Sequence, residues 1–289
     1  MTRHIATIGF GEAAQAFATG WGRAVSQDVA AFDAKIADAA AAAPILAAAD
    51  RLGVRLCKDR AEALKAAGHV FSLVTADQAV AAAEQAARAL RPGALWLDCN
   101  SCAPDSKRRA AEIVAAAGGL YVDVAVMAPV HPRLHRTPLL ISGPGAEAAE
   151  PFLAGLGMTA RRLDGRVGSA SAVKMIRSVM IKGLEALTAE CFLAAERAGV
   201  AAEVMGSLTA SNPEMDWPTR GAYNLERMMQ HGLRRAAEMR EVVVTLDGLG
   251  LPSALTGAVA DWHDRIGTMG LAGKDGDLDE RVAMILTRL

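Results

Sequence analysis

The chain has 289 residues, of which 52% are hydrophobic and 4% aromatic, and its 31 basic and 32 acidic residues give a formal net charge of -1. This length and apolar content suffice for two ordinary domains, while the balanced charge and few aromatic residues argue against binding nucleic acid or an anionic membrane. The longest uncharged alanine-rich run, 39–49, is too short to span a bilayer, and no secretory signal opens the chain, so we expect a cytoplasmic protein.

The first 160 or so residues alternate short apolar runs with alanine-rich helical stretches, a pattern typical of βα units around a parallel sheet. Predicted helices cover 59–67 and 76–90, and Arg-Pro-Gly at 91–93 ends the second one. The predicted strands are His4–Ile8, Val29–Phe32, Val70–Val74, Ala94–Leu97, Tyr121–Val124 and Leu139–Ser142.

Strand signals stop near residue 169, where a long periodic segment, 169–198, predicts a helix of about 45 Å. Pro213, Pro218 and Pro252 separate the helical segments that follow, and the charged stretch 225–241 predicts a half-exposed helix. The sequence therefore predicts an α/β domain over 1–164 and an all-α domain over 165–289, joined by the long helix.

A glycine motif follows the first predicted strand directly. Gly9 permits a tight turn, Gly11 lets the backbone approach a pyrophosphate, and the small Ala14 lets the following helix pack closely on the strand. Asp33 ends the second strand, 22 positions after Gly11, where a carboxylate would bind the ribose hydroxyls. These features predict a Rossmann dinucleotide-binding domain. The expected cofactor-binding residues are Gly9, Phe10, Gly11, Glu12, Ala13, Asp33, Val74, Thr75 and Asn100.

The predicted cofactor is NAD, because the Asp33 carboxylate would repel the 2′-phosphate of NADP. Lys35 lies two residues further on and would soften that repulsion, which leaves NADP as an alternative.

A single lysine, Lys174, stands among Ala, Val, Met and Ile in the segment VGSASAVKMIRS, 167–178. A buried ammonium without a partner is costly, so this lysine either reaches solvent, is paired, or is held there for its chemistry. With a dinucleotide domain upstream and a long helix around the lysine, the chain resembles the β-hydroxyacid dehydrogenase superfamily, which includes 3-hydroxyisobutyrate and 6-phosphogluconate dehydrogenases. Gly168, Ala170 and Lys174 match the approach to that family's catalytic lysine, and the overall pattern is most similar to a divergent 6-phosphogluconate-dehydrogenase-like branch.

The resemblance implies an NAD(P)-dependent oxidoreductase that transfers a hydride between a nicotinamide cofactor and a small hydroxy acid, such as a 3-hydroxy acid or sugar acid, or its keto form. Lys174 would be the general base in oxidation and the acid in reduction, and Arg177 would help to lower its pKa. The resemblance also implies a homodimer that buries the 169–198 helix.

Two segments depart from the family pattern. Arg177 and Ser178 stand where the family usually has asparagine, and Met127, Ala128 and Pro129 align with its Ser-Gly-Gly substrate loop. The substrate is therefore not expected to bind as 3-hydroxyisobutyrate does. The expected substrate-binding residues are Asn100, Ser101, Met127, Ala128, Arg177, Ser178 and His231. His231 is included only because of its position relative to the family pattern.

Several interpretations remain open beside this one. Cys99 and Cys102 form a CxxC, but no second cysteine pair accompanies them, so no metal site is predicted. The alternatives for function are an imine reductase, which usually has Asp or Tyr in place of Lys174, and a nucleotide sensor without turnover. A basic loop either meets an anionic group of the substrate or is an ordinary solvated loop; it contains His131, Arg133, His135 and Arg136.

Overall fold

A computed structural model describes residues 4–271 and 276–289. The chain divides into two compact units, one ending at Lys174 and the other beginning at Met175. The division falls inside the long helix because the first turn of that helix packs on the α/β unit, where Ala170 forms a cluster with Ala125 and Leu140.

The first unit is built around a sheet that the described residues form from eight strands in the order 3-2-1-4-5-6-7-8. All six predicted strands are present, with ends that differ by one or two residues at most. The two additional strands, Arg55–Leu56 and Ala160–Arg162, are short and form the two outermost strands of the sheet. The strands are β1 (Ile5–Ile8), β2 (Val29–Phe32), β3 (Arg55–Leu56), β4 (His69–Ser72), β5 (Leu95–Asp98), β6 (Leu120–Val126), β7 (Leu139–Ser142) and β8 (Ala160–Arg162).

The α-helices of the described residues cover both faces of this sheet and then form the second unit. They are α1 (Glu12–Trp21), α2 (Arg23–Ser26), α3 (Ala39–Leu52), α4 (Arg60–Leu64), α5 (Ala79–Ala87), α6 (Pro104–Ala116), α7 (Ala146–Gly155), α8 (Ser169–Arg197), α9 (Ala201–Ser211), α10 (Trp217–Gly248), α11 (Ala254–Gly267) and α12 (Leu278–Leu286). The predicted helix 169–198 is confirmed as α8, and the predicted 225–241 is the middle of the longer α10.

The strands β1 to β6 run parallel to one another, as the βα pattern predicts. The prediction of repeated βα units fails at the next connection, because residues 127–138 contain only a short 3₁₀ turn and no crossover helix. Strand β7 therefore returns antiparallel to β6, and β8 pairs parallel with β7. Because β1, β4 and β5 are parallel, the loops that follow them meet at the edge of the sheet that is formed by the carboxyl ends of these strands.

The second unit has its own apolar core, in which α8, α10, α11 and α12 take part. Helices α10 and α11 approach closely where Gly232 faces Gly267, and a Cβ on Gly232 would lie 2.4 Å from the carbonyl oxygen of His263. None of the helices in the described residues combines the length and apolar character that crossing a membrane requires.

Candidate active site

The turn between β1 and α1 has the geometry of an anion site. Gly9 has a φ of +91°, and a Cβ there would lie 2.3 Å from the carbonyl oxygen of Leu73, so only glycine fits. Gly11 is the N-terminal cap residue of α1 and no heavy atom lies within 4 Å of where its Cβ would be. No side chain caps α1, so its first N–H groups are available to a pyrophosphate.

The other residues of the turn have separate roles. The Phe10 side chain is fully buried in the core, so only its backbone borders the turn. Glu12 is exposed in the first turn of α1, and Ala13 is half-buried against the core.

Asp33, at the end of β2, joins the glycine turn to the turn that follows β2. One carboxylate oxygen accepts a hydrogen bond from the Phe10 backbone N–H at 2.8 Å, and the other accepts from the Lys35 backbone N–H at 2.9 Å. The half-buried carboxylate is therefore fixed next to the glycine turn, beside the proposed path of the nucleotide.

A mainly apolar depression of about 550 Å³ lies beyond the carboxyl ends of β2 and β3. Its lining supplies aliphatic and aromatic carbon with one lysine, a chemistry that suits a planar heteroaromatic ring. It is lined by Phe32, Ala34, Ile36, Ala37, Leu46, Leu56, Cys57 and Lys58.

Asn100 connects the loops that follow β4 and β5. Its amide oxygen accepts from the Val74 backbone N–H at 2.7 Å, and its amide nitrogen donates to Ser72 Oγ at 3.0 Å and to Asp98 Oδ1 at 2.7 Å. The side chain is buried, so its first role is to orient these two loops. Thr75, next to Val74, is exposed at the same edge of the sheet.

Lys174 is paired in the structure. Its ammonium donates to Ser101 Oγ at 2.5 Å, and the lysine is half-buried. Ser101 belongs to the loop after β5, at the sheet edge that carries the glycine turn, so the first unit brings a lysine amine to the edge where a dinucleotide would end.

The predicted substrate loop starts at the end of β6. Met127 and Ala128 are half-buried, and Met127 packs against the cluster that holds the first turn of α8. His135 is fixed differently, because a Cβ on Gly20 of α1 would lie 2.0 Å from His135 Nδ1. The imidazole therefore packs against α1, and burial lowers the pKa of His135, with Arg136 adding to the effect. Within the predicted basic loop, the exposed residues are His131, Arg133 and Arg136.

The other predicted substrate residues belong to the second unit. Arg177 is exposed on α8, and Ser178, four residues after Lys174 on the same helix, is buried and accepts from Lys182 Nζ at 3.0 Å. His231 is half-buried on α10.

Neither Cys99 nor Cys102 forms a disulfide, and both side chains are buried. Burial raises the pKa of the Cys99 thiol to about 12, so the thiolate that redox or metal chemistry requires is disfavoured at neutral pH. In residues 4–271 and 276–289, no group of three or more His, Cys, Asp or Glu side chains is arranged to hold a metal ion.

Sequence reasoning missed three buried charges behind this site: Lys107, Asp98 and Asp123. Lys107 occupies a core position of α6, on the buried face that also contains Pro104 and Ala110. Two features of the sequence could have indicated these buried charges. Lys107 stands at a helical position whose neighbours on the same face are apolar, and Asp98 and Asp123 stand within or at the end of apolar strands.

Residues 4–161 match the family described as the NAD binding domain of 6-phosphogluconate dehydrogenase. The chain belongs to the β-hydroxyacid dehydrogenase superfamily. This membership confirms both the predicted resemblance and the predicted fold class, a Rossmann domain followed by a helical domain. Within this superfamily member, residues 195–266 also match a domain of unknown function, DUF1932.

One similar solved structure is that of a conserved hypothetical protein of Sinorhizobium meliloti 1021, which is 38% identical in sequence to this superfamily member and superposes with a TM-score of 0.79. The match covers 100% of this chain and 97% of that chain. The 3-hydroxyisobutyrate dehydrogenase of Mycobacterium tuberculosis, in a structure with L-serine, has a TM-score of 0.73 at 18% identity, covering 99% of each chain, and shows a shared fold. An uncharacterized 28.5 kDa protein of Methanothermus fervidus is 26% identical over 157 residues, a match that spans 54% of this chain and 59% of that relative.

Proposed function

We propose that this protein is an NAD-dependent dehydrogenase or reductase that acts on a small hydroxy acid or its keto form. The observation that supports this most directly is the 2.5 Å hydrogen bond from Lys174 to Ser101, in the same unit as the Gly9–Gly11 turn. A lysine amine at the end of a dinucleotide site is suited to exchange a proton with an alcohol or a carbonyl oxygen.

Different residues of the first unit would bind the different parts of the nucleotide. The Gly11 backbone and the N-terminus of α1 would bind the pyrophosphate, Asp33 the adenosine ribose hydroxyls, and the depression beside Phe32 the adenine. When bound, the nicotinamide ring supplies the acceptor or donor of hydride. Val74, Thr75 and Asn100 would border its ribose.

Lys174 would carry the proton in both directions. In oxidation, its neutral amine accepts the proton of the substrate hydroxyl; in reduction, its ammonium donates a proton to the carbonyl oxygen. Ser101 Oγ accepts a hydrogen bond from the charged form, so the serine stabilises the ammonium that oxidation produces and keeps Nζ in a fixed direction.

The residues that are expected to contact the substrate indicate its chemical class. Met127 and Ala128 are an apolar wall where the family has a Ser-Gly-Gly, so we propose a substrate that offers carbon at this side. Asn100 and Ser101 supply polar contacts in the first unit.

We also propose that the protein works as a homodimer through α8. The helix exposes apolar side chains at positions 176, 180, 184 and 187, a spacing of four, four and three residues that places them along one stripe. Met180 is 63% exposed and Leu187 is 57% exposed, values that a second copy of the helix would reduce.

The test compares wild type with Lys174→Ala and Lys174→Arg on a panel of 2- and 3-hydroxy acids, sugar acids and their phosphates, with NADH formation as the readout. Turnover should fall about 10²- to 10⁴-fold in both variants, because guanidinium stays protonated, while the thermal shift caused by nucleotide changes little. Lys65→Ala, at an exposed lysine of the same unit, is the matched control and should keep wild-type rates.

Three outcomes would contradict the proposal. Full turnover in Lys174→Ala would exclude the lysine as proton carrier. Turnover of imines with a nicotinamide cofactor, but of no hydroxy or keto acid, would favour the imine reductase alternative, and binding of nucleotide without turnover of any substrate class would favour a sensor.

A further inference from the structure

A fully buried lysine that has no part in the proposed chemistry lies behind the site. Lys107, on α6, donates from Nζ to the backbone carbonyl oxygen of Asp98 at 2.6 Å and to Asp98 Oδ1 at 2.9 Å, and Nζ is 3.6 Å from Asp123 Oδ1. All three side chains are 0% exposed. An ammonium so deeply buried requires such partners, since burial of an unpaired charge costs several kcal/mol.

One partner, Asp98, controls the loop after β5. Its Oδ1 also accepts from the backbone N–H of Asn100 at 3.0 Å and from the Asn100 amide at 2.7 Å, and its Oδ2 accepts from the Tyr121 hydroxyl at 2.6 Å. Asp98 therefore sets the direction in which the chain leaves β5, immediately before Ser101.

The other partner, Asp123, controls the start of α8. Its Oδ2 accepts from the backbone N–H groups of Gly168 at 3.1 Å and Ser171 at 3.0 Å, and from Ser171 Oγ at 3.1 Å. A carboxylate at this place caps the helix and interacts favourably with its dipole. Lys174 follows Ser171 by three residues, so the cap orients the turn that carries the lysine.

The charges in this cluster make Lys107 the link between the two carboxylates. Burial alone would lower the pKa of Lys107, but Asp98, Cys102 and Asp123 together raise it above its ordinary value, so the lysine stays an ammonium. Burial and the neighbouring Asp98 also raise the pKa of Tyr121, so its hydroxyl remains a donor. Without Lys107, two buried carboxylates would face each other with no cation between them.

We propose that Lys107 is a positioning residue, which holds the Asn100–Ser101 loop and the first turn of α8 in one fixed relation so that Lys174 Nζ meets Ser101 Oγ. This inference rests on the proposed function. A structural role alone would not require the charge, because a buried ion pair replaced as a whole by apolar side chains often leaves stability unchanged or improved. The geometry, rather than the stability, is what the ion pairs determine.

The test uses Lys107→Met and the double variant Lys107→Met/Asp123→Asn. The single variant leaves an extra buried negative charge and should melt at a lower temperature than wild type. The double variant restores the original buried net charge, and the Asp123→Asn change keeps an amide oxygen that can accept from Gly168 and Ser171. Its melting temperature should therefore recover toward the wild-type value, although the link between loop and helix is still broken.

The expected result for the double variant is a kcat about 10- to 100-fold below wild type, with a KM for NAD that changes less than about 3-fold. Hydrogen exchange should quicken in the peptides that contain 98–103 and 168–174 and not elsewhere in the first unit. The control is Arg281→Met, which removes another buried charge, from α12, and should lower the melting temperature without changing exchange in those peptides.

A double variant with wild-type kcat and unchanged exchange in both peptides would overturn the proposal. The exchange measurement requires no substrate and does not depend on what Lys174 does. If Lys174→Ala retains full turnover, the proposed function fails. Hydrogen exchange in the two peptides would still show whether Lys107 holds the loop and the helix in position.

Discussion

The Lys174 ammonium and the Ser101 hydroxyl are 2.5 Å apart, although one belongs to the second turn of α8 and the other to the loop after β5. The pair connects two segments that are far apart in the sequence, at the sheet edge that the glycine turn also occupies. Because the serine accepts from the ammonium, the charged form of the lysine is favoured over the neutral form by this contact.

Replacing Ser101 by alanine should therefore loosen the position of the lysine amine. We expect kcat/KM for oxidation to fall about 10-fold or more, because Nζ is no longer held in one direction. Ser101→Thr, which keeps the hydroxyl, is the matched control and should retain the wild-type rate. A Ser101→Ala enzyme with an unchanged rate would show that the contact has no part in catalysis.

Asp33 should determine the choice of nucleotide. At 100 times its dissociation constant, NAD should stabilise the native protein by about 2.7 kcal/mol, and NADP at the same concentration by less. Asp33→Asn loses the charge and keeps one acceptor oxygen, which can accept from the Phe10 or the Lys35 N–H group but does not replace both carboxylate oxygens, so the ratio of NAD affinity to NADP affinity should fall about 10-fold or more. The measurement is thermal shift against each nucleotide, and equal stabilisation of wild type by both would refute the assignment.

The apolar stripe of α8 should hold two chains together. Met180→Glu places a charge at the most exposed residue of the stripe and should convert a dimer to a monomer, measured as mass by light scattering. Leu255→Glu, at an exposed leucine of α11 that is outside the stripe, should leave the mass unchanged. A monomeric wild-type protein at micromolar concentration would be inconsistent with this interface.

His263 should make the protein less stable in acid. Its side chain is fully buried on α11, and burial lowers its pKa from 6.5 to about 4. The unfolded chain therefore binds a proton at a higher pH than the native chain, and stability is lost as the pH falls from about 6.5 to about 4, by about 3 kcal/mol. Glu185, whose pKa is raised by burial, opposes part of this loss.

The measurement is urea unfolding of wild type and His263→Gln at pH 7.5, 5.5 and 4.5. The difference in unfolding free energy between the two proteins should shift in favour of the variant as the pH falls. His131→Gln, at an exposed histidine, should follow wild type at each pH. Parallel curves for wild type and His263→Gln would contradict the assignment of acid sensitivity to this residue.

Much of the fold and the nucleotide site could be predicted because their signals are local. The alternation of apolar runs and helical stretches predicted six strands of the sheet, and the long period-3.6 segment predicted α8 almost to the residue. Gly9 was recognisable from the glycine motif that follows the first strand directly. The structure adds the reason that only glycine fits there, namely a positive φ and a close backbone contact with Leu73. Asp33 was found by its distance from that turn.

The antiparallel return of β7 was not predicted, because the residues between β6 and β7 were expected to form a loop, and a loop sequence does not specify the direction of the strand that follows it. The short strands β3 and β8 were not predicted for a different reason. An edge strand of two or three residues with polar side chains is too short to show the apolar alternation that identifies a strand.

The amino-acid sequence alone identifies the segments that carry chemistry: the glycine turn, Asp33 and a lysine at the start of a long helix. The contact of Lys174 with Ser101, and the position of Lys107 between Asp98 and Asp123, become visible only when the elements are packed together. The reason is physical. A helical or strand period reports which face of one element is buried, whereas the pairing of charges from α6, β5 and β6 depends on how the elements pack, and no local period records that arrangement.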